Sequence, residues 1–148
     1  MKKLNFIIVA IIGLSLSLGL TSCSKEDPGP VSANKLRITV GSSVFTATLY
    51  DNATTEAFIA MLPLTLNMRD LNSNEKFYDL SNSLPSNHSR VGSIRNGDIM
   101  LYSSRTLVLF YESFSSSYSY TRIGSVDNTS GWKSALGSGN VTVTFELQ

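Results

Sequence analysis

The sequence predicts a mainly β domain, a closed or nearly closed barrel with one or two short helices, and three patterns predict it. Leu36-Arg37-Ile38-Thr39-Val40 and Val44-Phe45-Thr46-Ala47-Thr48-Leu49-Tyr50 alternate apolar and polar residues around Gly41-Ser42-Ser43, as a hairpin with one buried face does. Val141-Thr142-Val143-Thr144-Phe145 alternates in the same way near the C-terminus. Between them, Leu107-Val108-Leu109-Phe110-Tyr111 is apolar without a break, which suits a strand covered on both faces. A count of about seven or eight strands favours ring closure over an open sheet, because closure removes the unpaired edges at which sheets associate.

The elements follow in order. The first two strands form the hairpin just described. Asp51-Asn52 offers short side-chain acceptors where a helix begins, and Phe58, Met61 and Leu62 follow at helical spacing as one apolar stripe. Pro63 has no N–H to give and ends that helix after about ten residues. Leu64-Thr65-Leu66-Asn67-Met68 alternates again, residues 75–80 contain a short strand, and Asn96-Gly97-Asp98 is a turn. Residues 99–102, 106–111 and 120–126 read as further strands, and residues 130–136 as a short helical turn. The serine-rich stretches 81–89 and 113–119 read as loops.

The first 35 residues read differently. Lys2 and Lys3 precede an apolar run from Phe6 to Leu20. A bilayer core about 30 Å thick takes roughly 20 apolar residues, so this shorter run is a secretory signal rather than a span. Leu20-Thr21-Ser22-Cys23 resembles the lipobox at which bacterial lipoproteins are cleaved and acylated on the cysteine. Cys23 is the only cysteine, so no disulfide can form within the chain, and Ser24-Lys25-Glu26-Asp27-Pro28-Gly29-Pro30 reads as a solvated tether. The expected organisation is a lipoprotein signal peptide over 1–22, lipid attachment at Cys23, a tether over 23–35 and one domain over 36–148. The expected place is the bacterial cell envelope, with the outer membrane as partner through the lipid. Glu26 and Asp27 resemble the export tag of surface lipoproteins in the Bacteroidetes, and periplasmic and surface orientations both stay open.

Charge and composition exclude several functions. The formal net charge of +1 falls to −1 once Lys2 and Lys3 leave with the signal, and the remaining Lys and Arg are scattered singly. Nucleic-acid phosphates need a clustered basic surface, so nucleic acid is not an expected partner. The one histidine, His88, sits in the polar string Pro85-Ser86-Asn87-His88-Ser89, and the carboxylates do not cluster, so no metal site is expected. Neither a Gly-x-Ser-x-Gly elbow nor a flavin-binding motif occurs, and no cofactor is expected.

The aromatic residues offer the best candidate site. Tyr111, Phe114, Tyr118 and Tyr120 bracket a serine-rich segment and are followed by Arg122, while Tyr78, Tyr102 and Trp132 lie elsewhere in the sequence. Aromatic faces beside a guanidinium can build a concave site for an extended peptide or a flat ligand, so those five residues form the candidate pocket. Core packing and strand propensity are the competing explanation for each of them. Phe110 and Phe145 are assigned to the core.

Several strings, in this order, resemble the small bacterial cyclophilin-like domains. They are residues 44–54 leading into the helix, Leu62-Pro63-Leu64, Gly97-Asp98-Ile99-Met100-Leu101-Tyr102, Leu107-Val108-Leu109-Phe110-Tyr111 and Ile123-Gly124-Ser125-Val126, and the resemblance spans about residues 36–148. It implies a closed eight-stranded cyclophilin-type β-barrel. True cyclophilins are peptidyl-prolyl isomerases that depend on an arginine in a Phe-His-Arg type motif, with glutamine, phenylalanine, tryptophan and histidine lining a proline pocket. No such string occurs here: Asn67-Met68-Arg69-Asp70 and Glu75-Lys76-Phe77-Tyr78 occupy that segment, neither neighbour of Arg69 matches, and the only glutamine is Gln148. The resemblance thus implies a non-catalytic binding or accessory lipoprotein with a peptide or protein ligand. The alternative it carries is a divergent prolyl isomerase acting on exported proteins.

Overall fold

The computed structural model describes residues 35–148. The expected signal peptide, the expected lipid site Cys23 and nearly all of the expected tether lie outside the described residues, and Lys35 already begins the first strand. Nine strands and two helices follow: β1 Lys35–Val40, β2 Ser43–Leu49, α1 Ala53–Ile59, β3 Leu64–Leu71, β4 Glu75–Asp79, β5 Ser89–Ile94, β6 Asp98–Tyr102, β7 Thr106–Phe110, β8 Phe114–Val126, α2 Trp132–Leu136 and β9 Val141–Leu147. Every pairing is antiparallel, in the order β2-β1-β9-β3-β4-β7-β6-β8-β5. The last three residues of β8 also pair β2, so the order from β2 to β8 returns to its start and β5 lies outside that ring. No helix among the described residues is long and apolar enough to cross a membrane.

Two departures from the sequence reading concern the outer edge of the sheet. Residues 114–119 are not a loop but the first half of β8, and residues 89–94, of which only Ser89 falls in the stretch 81–89 read as a loop, form a ninth strand. Each supplies the other's hydrogen bonds: Ile94 pairs Phe114, Ser93 pairs Ser115, and Ser89 pairs Tyr120. Serine hides the pattern because its hydroxyl favours turns locally, while a sheet edge can still hold it in place. The helix α1 is also shorter than expected. Asn52 caps it by accepting the Thr55 N–H, as the sequence suggested, but it ends at Ala60, before Met61 and Leu62. Beyond Ala60 the chain tightens, with the Met61 N–H donating to the Phe58 carbonyl at 3.1 Å and the Leu62 N–H to the Ile59 carbonyl at 3.0 Å, and Pro63, which has no N–H, ends the run. Met61 and Leu62 still pack on the core.

Alternation along the strands builds two apolar clusters. Leu107 and Leu109 of β7, with Ile99 and Leu101 of β6, point into the main cluster, where Phe58 of α1 meets Phe145 edge-on and Trp132 of α2 meets Phe45. Val108, Phe110 and Met100 point the other way into a second cluster with Ile94 and Tyr120. The unbroken apolar run is therefore covered on both faces, as predicted, and the cover on its outer face is β5 with the first half of β8. Burying one such side chain contributes about 1.5–3 kcal/mol.

The join between β8 and β2 is close. Register slips between Ile99 and Met100, which oppose Gly124 and Arg122, so Ile123 is the extra residue of a bulge. The backbone carbonyls freed there are not left unpaired. Ile123 accepts from the Tyr50 N–H at 2.8 Å and from the Thr55 hydroxyl, and Arg122 accepts from the Asn52 amide at 2.9 Å, which docks α1 on β8. A Cβ on Gly124 would stand 2.5 Å from the Thr48 carbonyl oxygen, a backbone atom that cannot swing aside. Gly124→Ala should therefore cost roughly 1–3 kcal/mol, as overpacking does, read as a lower urea midpoint at unchanged slope. A midpoint equal to wild type would show that the join tolerates a wider spacing.

Candidate functional site

Strand β4 sets its side chains alternately in and out. Lys76 and Tyr78 face the main core, whereas Glu75, Phe77 and Asp79 face a groove on the outer side. The groove encloses about 390 Å³. Its walls are aromatic: Phe77 from β4, Tyr102 from β6, and Phe114, Tyr118 and Tyr120 from β8. Tyr102 stands edge-on to Tyr118, with ring centres 6.2 Å apart and planes at 89°, and is tilted by 56° against Tyr120 at 5.6 Å. Buried Phe110 backs the walls, with its ring centre 5.8 Å from Phe114 and 5.6 Å from Tyr120. Tyr118 is 62% exposed and forms the open lip.

The carboxylates of the groove differ in their surroundings. Asp79 is occupied, since it accepts from Arg69 at 3.0 Å and from Thr106 at 2.7 Å, and the same Arg69 guanidinium lies 4.5 Å over the Phe77 ring. Glu75 has neither an ion pair nor a hydrogen bond among the described residues. Burial, reinforced by the negative charge of Asp70, pushes its pKa up to about 7. Beside it, the amide oxygen Asn74 Oδ1 is buried without a hydrogen-bond partner. Such an atom is uncommon, because an unpaired buried acceptor costs about 1–3 kcal/mol.

Asp70 is held on the inner side of the same corner. Burial would raise its pKa, but hydrogen bonds from Lys76 and Tyr111 and the charge of Lys76 outweigh this and hold it below the usual carboxylate range. Lys76 is fully buried, and its Nζ donates to Asp70 Oδ2 at 2.7 Å and to the Gly139 carbonyl at 2.6 Å. Tyr111 donates its hydroxyl to Asp70, and burial with that bond drives its own pKa upward. A buried lysine needs such partners, so this set reads as structural.

Of the five residues proposed for a pocket, the structure brings Phe114, Tyr118 and Tyr120 into one groove and places the other two elsewhere. Tyr111 is 4% exposed in the main core: Phe110 turns outward, so the next residue turns inward. Arg122 shares the outer face with Tyr120 but lies two residues, about 7 Å, farther along β8, where it approaches Asp98 at 3.6 Å. His88 is exposed at the start of β5, in a neighbouring depression that shares Tyr102 and Tyr118. Sequence reasoning missed Glu75, Asn74, Phe77 and Tyr102. The alternation of Glu75, Phe77 and Asp79 could have put those three on one face, but nothing in the sequence set β4 beside β7 and β6.

The chain matches the cyclophilin-like family over residues 38–146. It belongs to that family. A solved structure with the same fold is that of the hypothetical protein AF2241 from Archaeoglobus fulgidus, determined in solution. The two are 18% identical with a TM-score of 0.53, over 79% of this chain and 96% of that one. At that identity the likeness concerns the fold alone. No curated protein matches the chain.

The raised pKa of Glu75 has a consequence for stability. The folded chain holds the proton up to about pH 7, whereas in the unfolded chain it leaves near the ordinary 4.5. Folding is therefore favoured most below pH 4.5, and this contribution is lost as pH rises through about 7. Glu75→Gln should raise the Tm at pH 8 and change it little at pH 4.5. Equal shifts at both values would show that ionised Glu75 carries no desolvation penalty.

Proposed function

We propose that this cyclophilin-like chain is an envelope lipoprotein of the Bacteroidetes type, anchored through a lipid on Cys23, that binds a ligand without transforming it. The ring of eight strands is read as the closed barrel of the family, with β5 added outside it. The observation that carries the reading is the convergence of five aromatic rings from β4, β6 and β8 on one outward groove. Grooves of this size with apolar walls and a few polar atoms suit a small molecule or one or two side chains of a peptide. The anchor rests on Leu20-Thr21-Ser22-Cys23 and on the lack of any other cysteine. Two acyl signals hold a protein on a bilayer stably, at about 0.8 kcal/mol per buried methylene.

One observation favours a second reading, a divergent prolyl isomerase. Arg69 brings a guanidinium to the rim of the groove, beside Phe77. It is engaged by Asp79 there, and an arginine that stabilises a twisted prolyl amide must be free to point at it. The full chain in mild detergent is thus expected to give no prolyl isomerisation above the uncatalysed rate. A rate that disappears in Arg69→Ala would replace the binding reading with the enzyme. On the anchor, Cys23→Ser is expected to abolish acyl incorporation from labelled fatty acid. Labelling that persists would place the lipid elsewhere and remove Cys23 as the attachment point.

A further inference from the structure

We infer that the aromatic groove takes an organic cation, an alkylammonium head group, with Glu75 as its counter-ion. This names the ligand class for the binding site proposed above and rests on that reading. Three observations lead to it. The first is charge. The acidic side chains of the groove are the carboxyl groups of Glu75 and Asp79, with no lysine or arginine among the residues that line it. Asp79 is already satisfied, so the negative charge left over is that of Glu75.

The second observation is an unmet acceptor. The half-buried carboxylate of Glu75, without an ion pair or a side-chain hydrogen bond among the described residues, lies on one wall of the groove. It calls for a donor, and an ammonium group has three. A neutral ligand would leave its ionised form uncompensated.

The third observation is the geometry of the rings. Tyr102 and Tyr118 meet at 89°, Tyr120 leans against Tyr102, and Phe77 lines the same groove. Aromatic faces attract cations through their negative quadrupole, and several faces set at angles around one point form the cage that alkylammonium groups prefer. Phe77 already holds the Arg69 guanidinium at 4.5 Å, so the electrostatics of this surface accept a cation. The apolar edge from Val108 and Phe114 would take the methylene chain behind the head group.

Cation binding favours ionised Glu75, so a proton held near neutrality must leave, and affinity should rise with pH through about 7. The ionisable groups that interact with Glu75 are Asp70 from β3, Tyr111 after β7 and Tyr120 from β8; Glu112 acts on Tyr111, and Tyr102 and Tyr118 share the groove. Asp79 and Arg69 pair with each other on the same wall. Asp70 is held low by Lys76 and Tyr111, and burial raises Tyr120 above its ordinary value, so neither changes charge near pH 7. His88 lies beyond Tyr102 and Tyr118, and the Glu75 variant separates any contribution from it.

The test titrates the isotope-labelled full chain in mild detergent with N-acetyl-lysine methylamide, following the backbone amides of residues 74–79, 102 and 118. The neutral comparison is N-acetyl-norleucine methylamide, which carries the four side-chain carbons of lysine without the ammonium group, and n-butylammonium supplies the head group free of peptide. The lysine derivative or butylammonium is expected to bind about tenfold or more tightly than the norleucine derivative at pH 8. Whichever of the two binds more tightly identifies a peptide lysine or a free amine as the source. Glu75→Gln should erase the preference and flatten the change between pH 6 and 8, and Tyr118→Ala, at an exposed position, should weaken the cations. Wild type that binds neither the lysine derivative nor butylammonium more tightly than the norleucine derivative would overturn the cation and leave the groove as an apolar site. No shift of any groove amide with any of the three, in a folded sample, would remove the groove as the binding site and the cation with it.

Discussion

Strand β8 must serve three neighbours, and the outer face of the molecule follows from how it does so. Its C-terminal end pairs β2 and returns the sheet to its start, its middle pairs β6, and its N-terminal half pairs β5 outside the ring. One straight strand could not point correctly at all three. The bulge at Ile123 resolves the conflict by adding a residue, and the carbonyls it frees are taken up by Tyr50, Asn52 and Thr55. Glycine at position 124 is what lets β2 approach at that point. The antiparallel pair of β5 and the first half of β8 then lies over β6 and β7 and makes a second cluster where a simple ring would have had a solvated face.

That second cluster positions the groove, and the buried lysine sets its charge. Phe110 is fixed from behind by Ile94, Met100 and Val108, and it supports Phe114 and Tyr120, so two of the walls are set by packing. On the other side of β4, Lys76 holds Asp70 in its charged form within a few residues of Glu75. The lysine compensates one carboxylate and not the next, so Glu75 meets both burial and a fixed negative neighbour. Alternation along β4 is the reason: Lys76 faces the core and cannot reach the outward side.

The regular part of the fold was legible from the sequence. Strict alternation at 36–40, 44–50 and 141–145, Asn52 as a cap, and the apolar run at 107–110 each state a local preference that the tertiary structure keeps. What could not be read were elements that exist only because a partner exists. Ser115 to Ser119 and Ser89 to Ser93 carry no strand pattern of their own, and each is a strand because the other completes its hydrogen bonds. The site divides along the same line. Phe114, Tyr118 and Tyr120 were singled out because they bracket one serine-rich segment, and they line one groove because that segment is a strand on which residues two and four apart share a face. Tyr102 and Glu75 were missed because they reach that face from strands distant in sequence. Tyr111 was misplaced by a single residue, which in a strand is the difference between the groove and the core.

The position of Arg69 bears on how this surface relates to prolyl isomerisation. Catalysis by positioning needs a donor that is strongest toward the twisted amide and weakly held otherwise. Arg69 has an ionised partner in Asp79 and a ring in Phe77, and both stabilise it where it lies. Moving it into the groove would break both contacts and leave Asp79 with Thr106 alone. Glu75 stands in the opposite condition, charged at little advantage and without a partner. A surface that has satisfied its cation and left an anion open is arranged to receive positive charge rather than to deliver it, and for that reason the groove fits a binding role better than an electrophilic one.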